Sequence, residues 1–255
     1  MLNIPTQKAF AKGLQTCRRI LRRYGYGIHS PFVYYLITKV ITERARFYCF
    51  DEIEALRRRL LADSTRIVGD GRRTCTVGHI VAREAIRPKV GALLFRLTNF
   101  LKPENILQIG PTTGLSTLYL SSYRLGLRCV AVERETEFAS LARSVHRQAR
   151  VEIEHYTGDY RDLLPEILAG IRRLDFVYLN VWREPLCQWI FDACLACKHS
   201  NTVVVVEGIS RNNRMRAMWK YVRTHPEATV TFDLRSTGIV FFNPKLHRHD
   251  YKIYF

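Results

Sequence analysis

The sequence predicts an α/β protein with a doubly wound, mostly parallel sheet of seven strands, a C-terminal antiparallel hairpin and an N-terminal helical cap. Three observations carry that prediction. From Pro103 onward, short apolar runs alternate with amphipathic stretches of helical period. The last two runs are separated only by residues 233–238, too few for a crossover helix, so they should pair antiparallel. Before residue 103 the apolar positions recur at three- and four-residue spacing instead, which is the pattern of helices packed on one face.

The elements follow in order. Phe10, Leu14, Cys17, Leu21 and Tyr24 mark one helical face, with Arg18, Arg19, Arg22 and Arg23 on the others. Tyr24-Gly-Tyr-Gly-Ile-His-Ser-Pro-Phe32 breaks that pattern, and Ser30 followed by Pro31 is an N-cap with proline in the first turn, opening a helix through Phe32, Tyr35, Leu36 and Val40. A further helix is expected over 51–61. Residues 65–76, with Gly69-Asp70-Gly71 and four charges, read as an exposed loop, and helical periodicity returns over 77–99. Strands are expected at 106–109, 129–132, 151–155, 176–179, 203–207, 229–232 and 239–242, with helices between the first six. This divides the chain into a helical cap and substrate region, 1–102, and a sheet domain, 103–255.

Composition narrows the function classes. Of 255 residues, 47% are hydrophobic and 11% aromatic, which excludes a disordered chain. No apolar run approaches the roughly 18 to 20 residues needed to span a bilayer. The seven scattered cysteines, without a visible secretory signal, read as reduced thiols in a cytoplasmic protein. Cys194-x-x-Cys197 lies inside an apolar helical pattern without a second pair or a His-x-x-His, so it reads as helix-face or core thiols rather than a zinc site.

The net charge is +17, and the basic excess sits early: residues 1–103 carry 20 basic and 7 acidic side chains, with no acid before Glu43. An Arg-rich start can mark an organelle transit peptide, but this one is poor in serine and runs straight into a structured motif. The basic surface points to an anionic partner: a phosphorylated or otherwise anionic small molecule, acidic lipid or nucleic acid. The basic residues are spread over several helices and form no recognised RNA-binding module.

Ile106-Leu-Gln-Ile-Gly110-Pro-Thr-Thr-Gly114-Leu-Ser116-Thr117 is the most informative stretch. A buried strand ends at Ile109, glycines allow a tight turn, and hydroxyl residues Thr112, Thr113 and Ser116 stand at the mouth of a helix whose free N–H groups suit a carboxylate or phosphate. The Gly-x-x-x-Gly spacing differs from the Gly-x-Gly-x-x-Gly of dinucleotide enzymes. Glu133 ends the second strand, 23 residues after Gly110, where an acid can accept from both hydroxyls of a ribose. Gly158-Asp159-Tyr160 follows the third strand, where Asp159 either edges an adenine ring or caps the next helix.

With this strand order, the Gly110–Gly114 turn and Glu133, the chain resembles the class I S-adenosylmethionine-dependent methyltransferases, whose domain is Rossmann-like. More narrowly it resembles a bacterial, small-molecule O-methyltransferase-like branch known chiefly from Bacteroidetes. Gly25 to Phe32 matches that branch's N-terminal motif, and Trp219, His225-Pro226, Val230-Thr231, Asp233-Leu234 and Gly238 to Phe242 match its C-terminal elements. The resemblance implies S-adenosyl-L-methionine as cofactor, with Gln108, Gly110, Thr112, Thr113, Gly114, Ser116, Glu133, Asp159 and Asn180 around it. Gln108 stands where the family has an acid. Asn180-Val181 and Glu207-Gly208 stand where metal-dependent relatives carry carboxylate or amide ligands, so no obligatory metal is expected.

Proton-transfer candidates are then His29, in the Gly/Pro-rich motif, and Glu207, at a strand end. Tyr26 and Asp70 are candidate substrate contacts, the alternatives being packing and a turn aspartate. Two other readings stay open. One is a degenerate relative that binds without catalysis, and the other is a nucleic-acid-binding or RNA-modifying protein.

Overall fold

The computed structural model describes residues 16–17, 20–68 and 74–255. The expected helical face at Phe10 and Leu14, the arginines at 18 and 19, and the Asp70 loop tip lie outside the described residues.

A short α1 (Pro31–Tyr35) starts where Ser30 accepts from the Val33 N–H, and continues as a π-helical turn, Leu36–Ile41. Helix α2 spans Tyr48–Leu61. Residues 65–76 are not wholly a loop: β1 (Arg66–Val68) and β2 (Thr74–Thr76) pair antiparallel. Helices α3 (Val77–Glu84), capped by Thr76, and α4 (Pro88–Leu101), with proline in its first turn, complete this region.

The main sheet follows the expected alternation: β3 (Asn105–Ile109), α5 (Leu115–Ser121), β4 (Arg128–Glu133), α6 (Thr136–Ala149), β5 (Glu154–Thr157), α7 (Tyr160–Ala169), β6 (Leu174–Leu179), α8 (Cys187–Leu195), β7 (Lys198–Glu207), α9 (Asn213–Thr224), β8 (Val230–Asp233) and β9 (Thr237–Phe241). An eighth strand, β10 (His249–Lys252), extends the expected seven. The spatial order is β10-β8-β9-β7-β6-β3-β4-β5, and β9 alone runs antiparallel to its neighbours. Strand β5 begins later than expected because Val151 and Ile153 pack against the core before pairing starts.

The valine run shows why the sheet is buried on both faces. Val203 and Val205 join the core formed with α1 to α5, while Val204 and Val206 join the core formed with α7, α8 and α9. The N-terminal helices therefore supply one whole layer of a three-layer sandwich, sharing a core with the sheet across the 102/103 boundary. At their entry, Phe32 packs on Phe100 and edge-on to Phe241. Phe241 pairs with Val203, at the end of the sheet opposite the C-terminal ends of the parallel strands.

Buried Arg96 of α4 closes the π-helical turn. Its Nε donates to the Val40 carbonyl at 2.7 Å and its Nη2 to the Ile41 carbonyl at 3.4 Å, satisfying groups that a helix end leaves open. No helix among the described residues is long and apolar enough to cross a membrane.

Candidate active site

The C-terminal ends of parallel strands are where an open α/β sheet leaves a crevice. Here that crevice is a cavity of about 300 Å³, bounded by Thr112, Thr113 and Ser116 from the β3–α5 turn, Tyr178 and Asn180 from β6, and Glu207 from β7. The far wall comes from Arg83 and Arg87 at the α3–α4 junction, Arg211 after β7, and Ser236 in the β8–β9 turn.

The turn is shaped by packing. Gly110 has φ of 104° and lies so close to β6 that an added Cβ would sit 2.1 Å from the Asn180 carbonyl oxygen. Gly114 has φ of 85° and lies against Val145 of α6. Both glycines are therefore required by neighbouring backbone and side chains, whatever ligand the turn holds. Asn180 Nδ2 donates to the Pro111 carbonyl at 2.5 Å, tying β6 to the turn.

Beneath the turn, Gln108 is 1% exposed. Its Oε1 accepts from Ser116 and Thr117 hydroxyls at 3.2 and 3.0 Å, while its Nε2 has no partner. The Thr113 hydroxyl is likewise buried and unpartnered. Unsatisfied buried polar groups cost free energy. A polar ligand group beside Gln108 and Thr113 would find donors there.

Glu133 is buried at the end of β4. Its Oε1 accepts from the Arg134 and Glu135 N–H groups and its Oε2 from the Thr112 N–H at 3.2 Å. Burial pushes its carboxyl up to about 8, against the opposing pull of those three N–H donors. Asp159 is exposed and caps α7, accepting from the Arg161 N–H at 2.9 Å. Glu207 accepts from the Thr237 hydroxyl at 2.8 Å, and burial pushes its carboxyl up to about 7.

The guanidiniums differ in their ties. Arg211 lies 3.7 Å from the Trp182 ring centroid and 4.0 Å from Glu84. Glu84 is also paired with Arg183 at 2.6 Å. Arg87 donates to the Ser236 hydroxyl at 2.7 Å, and neither it nor Arg83 pairs with a carboxylate among the described residues.

Of the residues singled out from the sequence, Thr112, Thr113, Ser116, Asn180 and Glu207 line this cavity, with Gln108, Gly110, Gly114 and Glu133 behind or beneath them. His29 and Tyr26 do not. Both are exposed, and the Ser30–Phe32 segment they lead into packs at the opposite end of the sheet. Phe32, three residues beyond His29, anchors this motif by packing on Phe100 and Phe241. Sequence reasoning missed Arg83, Arg87 and Arg211. The strand-end rule pointed to Arg211, three residues beyond Gly208, whereas Arg83 and Arg87 arrive from a helix junction without a motif. Among the described residues, no group of three or more His, Cys, Asp or Glu is placed to hold a metal ion.

No family model matches the chain. A catechol O-methyltransferase from Niastella koreensis is 22% identical over 135 residues, 51% of this chain and 61% of that protein. Catechol O-methyltransferase B from Danio rerio is 30% identical over 101 residues, 37% of this chain and 38% of that protein. The chain thus matches less than two thirds of the length of either curated relative. Among solved structures, an O-methyltransferase from Bacillus cereus in complex with SAH is similar with a TM-score of 0.57 at 18% identity, covering 82% of this chain and 95% of that one. An O-methyltransferase of tomaymycin synthesis from Streptomyces achromogenes, in complex with SAM, gives a TM-score of 0.57 at 18% identity over 83% and 95%. A Podospora anserina methyltransferase bound to SAH gives 0.56 at 11% identity over 95% and 99%. The chain has the Rossmann-like fold of the class I S-adenosylmethionine-dependent O-methyltransferases.

Proposed function

We propose that this protein is an S-adenosylmethionine-dependent methyltransferase acting on a small anionic acceptor without an obligatory metal, within the Bacteroidetes-type branch that its two termini resemble. The observation that carries the reading is the cavity itself. It joins the β3–α5 turn to Glu207 and to the Arg83 and Arg87 guanidiniums.

S-adenosylmethionine, when bound, supplies an electrophilic methyl group. The unpartnered Gln108 Nε2 and Thr113 hydroxyl, with the Thr112 and Ser116 groups, would hold its amino-acid end. Glu133 would accept from one ribose hydroxyl with the lone-pair position its three backbone donors leave over, and Asp159 would stand near the adenine. Arg83 and Arg87 would hold the acceptor's negative charge. Glu207, raised to about 7, is poised near neutrality to accept the acceptor's proton. Holding the two reactants at one spot then supplies much of the acceleration.

A second reading, a degenerate relative that binds the cofactor poorly or not at all and serves as a binding protein, draws on specific contacts. Glu133 is already engaged by three N–H groups, Asn180 by Pro111, and Gln108 brings no charge. Calorimetric titration with S-adenosylmethionine and S-adenosylhomocysteine separates the two. Micromolar binding that weakens by about 1–3 kcal/mol in Glu133→Ala supports the cofactor reading. No binding at millimolar ligand by folded protein overturns it in favour of the degenerate one.

A further inference from the structure

A second cavity, of about 420 Å³, lies on the outer side of α4. Arg23, Arg44, Lys89 and Arg96 all line it, and Glu43 is the one acid among its lining residues. That acid is already engaged: its Oε1 accepts from the backbone N–H groups of Arg44 and Ala45 at 2.6 and 2.8 Å. Arg96 is 7% exposed; two of its nitrogens are committed to the Val40 and Ile41 carbonyls, and the Glu43 carboxylate offsets part of its charge, leaving Arg23, Arg44 and Lys89 as the larger share of the positive lining. Among the described residues, none of the four cations forms an ion pair with a carboxylate. The sequence before Glu43 contains no acid that could supply one.

Gathering like charges this closely is unfavourable. Burial and the neighbouring Arg23, Arg44, Arg87 and Arg96 hold the Lys89 ammonium below its ordinary value. An anion entering the cavity would relieve that repulsion with charge-assisted hydrogen bonds. The cavity is larger than a lone phosphate needs, and one wall is apolar. The Phe255 ring lies 4.4 Å from Lys89 Nζ, with Ala92 and Ile41 beside it.

We propose that this cavity is a second binding site, separate from the methyl-transfer crevice, for a small organic phosphate whose charged end meets Arg44, Lys89 and Arg96 and whose apolar or aromatic part meets Phe255. It does not depend on the methyltransferase reading, since none of these side chains belongs to the first cavity.

Phenyl phosphate and inorganic phosphate are the probes, titrated calorimetrically at low ionic strength into the full 255-residue chain. Lys89 and Arg44 are exposed, so Lys89→Gln/Arg44→Gln is expected to keep its fold, checked by far-UV circular dichroism. Arg83→Gln, at an exposed residue of the first cavity, controls for anion capture there. The expected result is saturable binding of phenyl phosphate, tighter than inorganic phosphate, that falls at least tenfold in the double variant and is unchanged in Arg83→Gln. Absence of binding overturns the proposal. So does binding that survives the double variant but is lost in Arg83→Gln. Binding of a short single-stranded oligonucleotide without any binding of phenyl phosphate overturns it in favour of a nucleic-acid surface.

Discussion

Protonation of one buried histidine should work against the fold as pH falls. His146 of α6 is 2% exposed beneath the β3–α5 turn. Its Nε2 lies 3.0 Å from the Gly114 carbonyl and its Nδ1 lies 2.9 Å from His155 Nε2. A carbonyl only accepts, so Nε2 carries the proton and Nδ1 accepts from His155. Charging His146 would bury a cation beside a second imidazole, and burial lowers its pKa from 6.5 to about 4. In the unfolded chain the ring titrates at its ordinary value, so between these two values the unfolded state binds more protons. The stabilisation is therefore complete above about pH 6.5 and is lost as pH falls toward 4. The full shift corresponds to about 3 kcal/mol, of which about 2 kcal/mol is gone by pH 5. Glu133 and Glu207, raised by burial, push the other way, since folding favours their protonated forms. Urea unfolding of the natural protein and of His146→Gln across pH 4.5–7.5 removes that background by difference. The wild-type curve should lose about 2 kcal/mol more than the variant between pH 7 and pH 5. Parallel curves would refute the argument.

Two further outcomes can be checked cheaply. Gly110→Ala forces a left-handed backbone on a residue whose Cβ would meet the Asn180 carbonyl, so it should cost roughly 2–4 kcal/mol in urea denaturation. Cys49, Cys129, Cys187 and Cys194 are buried with raised pKa values, whereas Cys17 is exposed; under native conditions a thiol reagent should modify Cys17 first and the buried four only on unfolding.

The fold was legible where burial on both faces leaves an unmistakable pattern. The 203–206 valine run and the Ile106–Ile109 run specified strands, and the short 233–238 gap specified that the last two expected strands run in opposite directions. Strand β10 was not legible, because His249-Asp-Tyr-Lys252 is a short edge segment with only Tyr251 buried. The π-helical turn has no periodicity of its own; it depends on Arg96 arriving from α4, 56 residues beyond Val40. The same holds for the site. Thr113, Asn180 and Glu207 follow from strand ends, but Arg83 and Arg87 reach the cavity through the docking of α3 and α4 on the sheet. His29 does not line the cavity, and a sequence motif marks a constrained segment without saying which end of the sheet it packs against.

The placement of β9 between β7 and β8 has a consequence for synthesis. A chain emerging from the ribosome completes β7 at Glu207, yet the strand that covers its edge begins at Thr237. The intervening 29 residues (208–236) take about 1.5 to 6 seconds to translate at roughly 5–20 residues per second. For that interval the valine-rich edge of β7 has no native neighbour on that side, the kind of unpaired strand on which a second nascent chain can dock. Slow translation through this stretch should therefore raise aggregation more than an equal delay after Phe241.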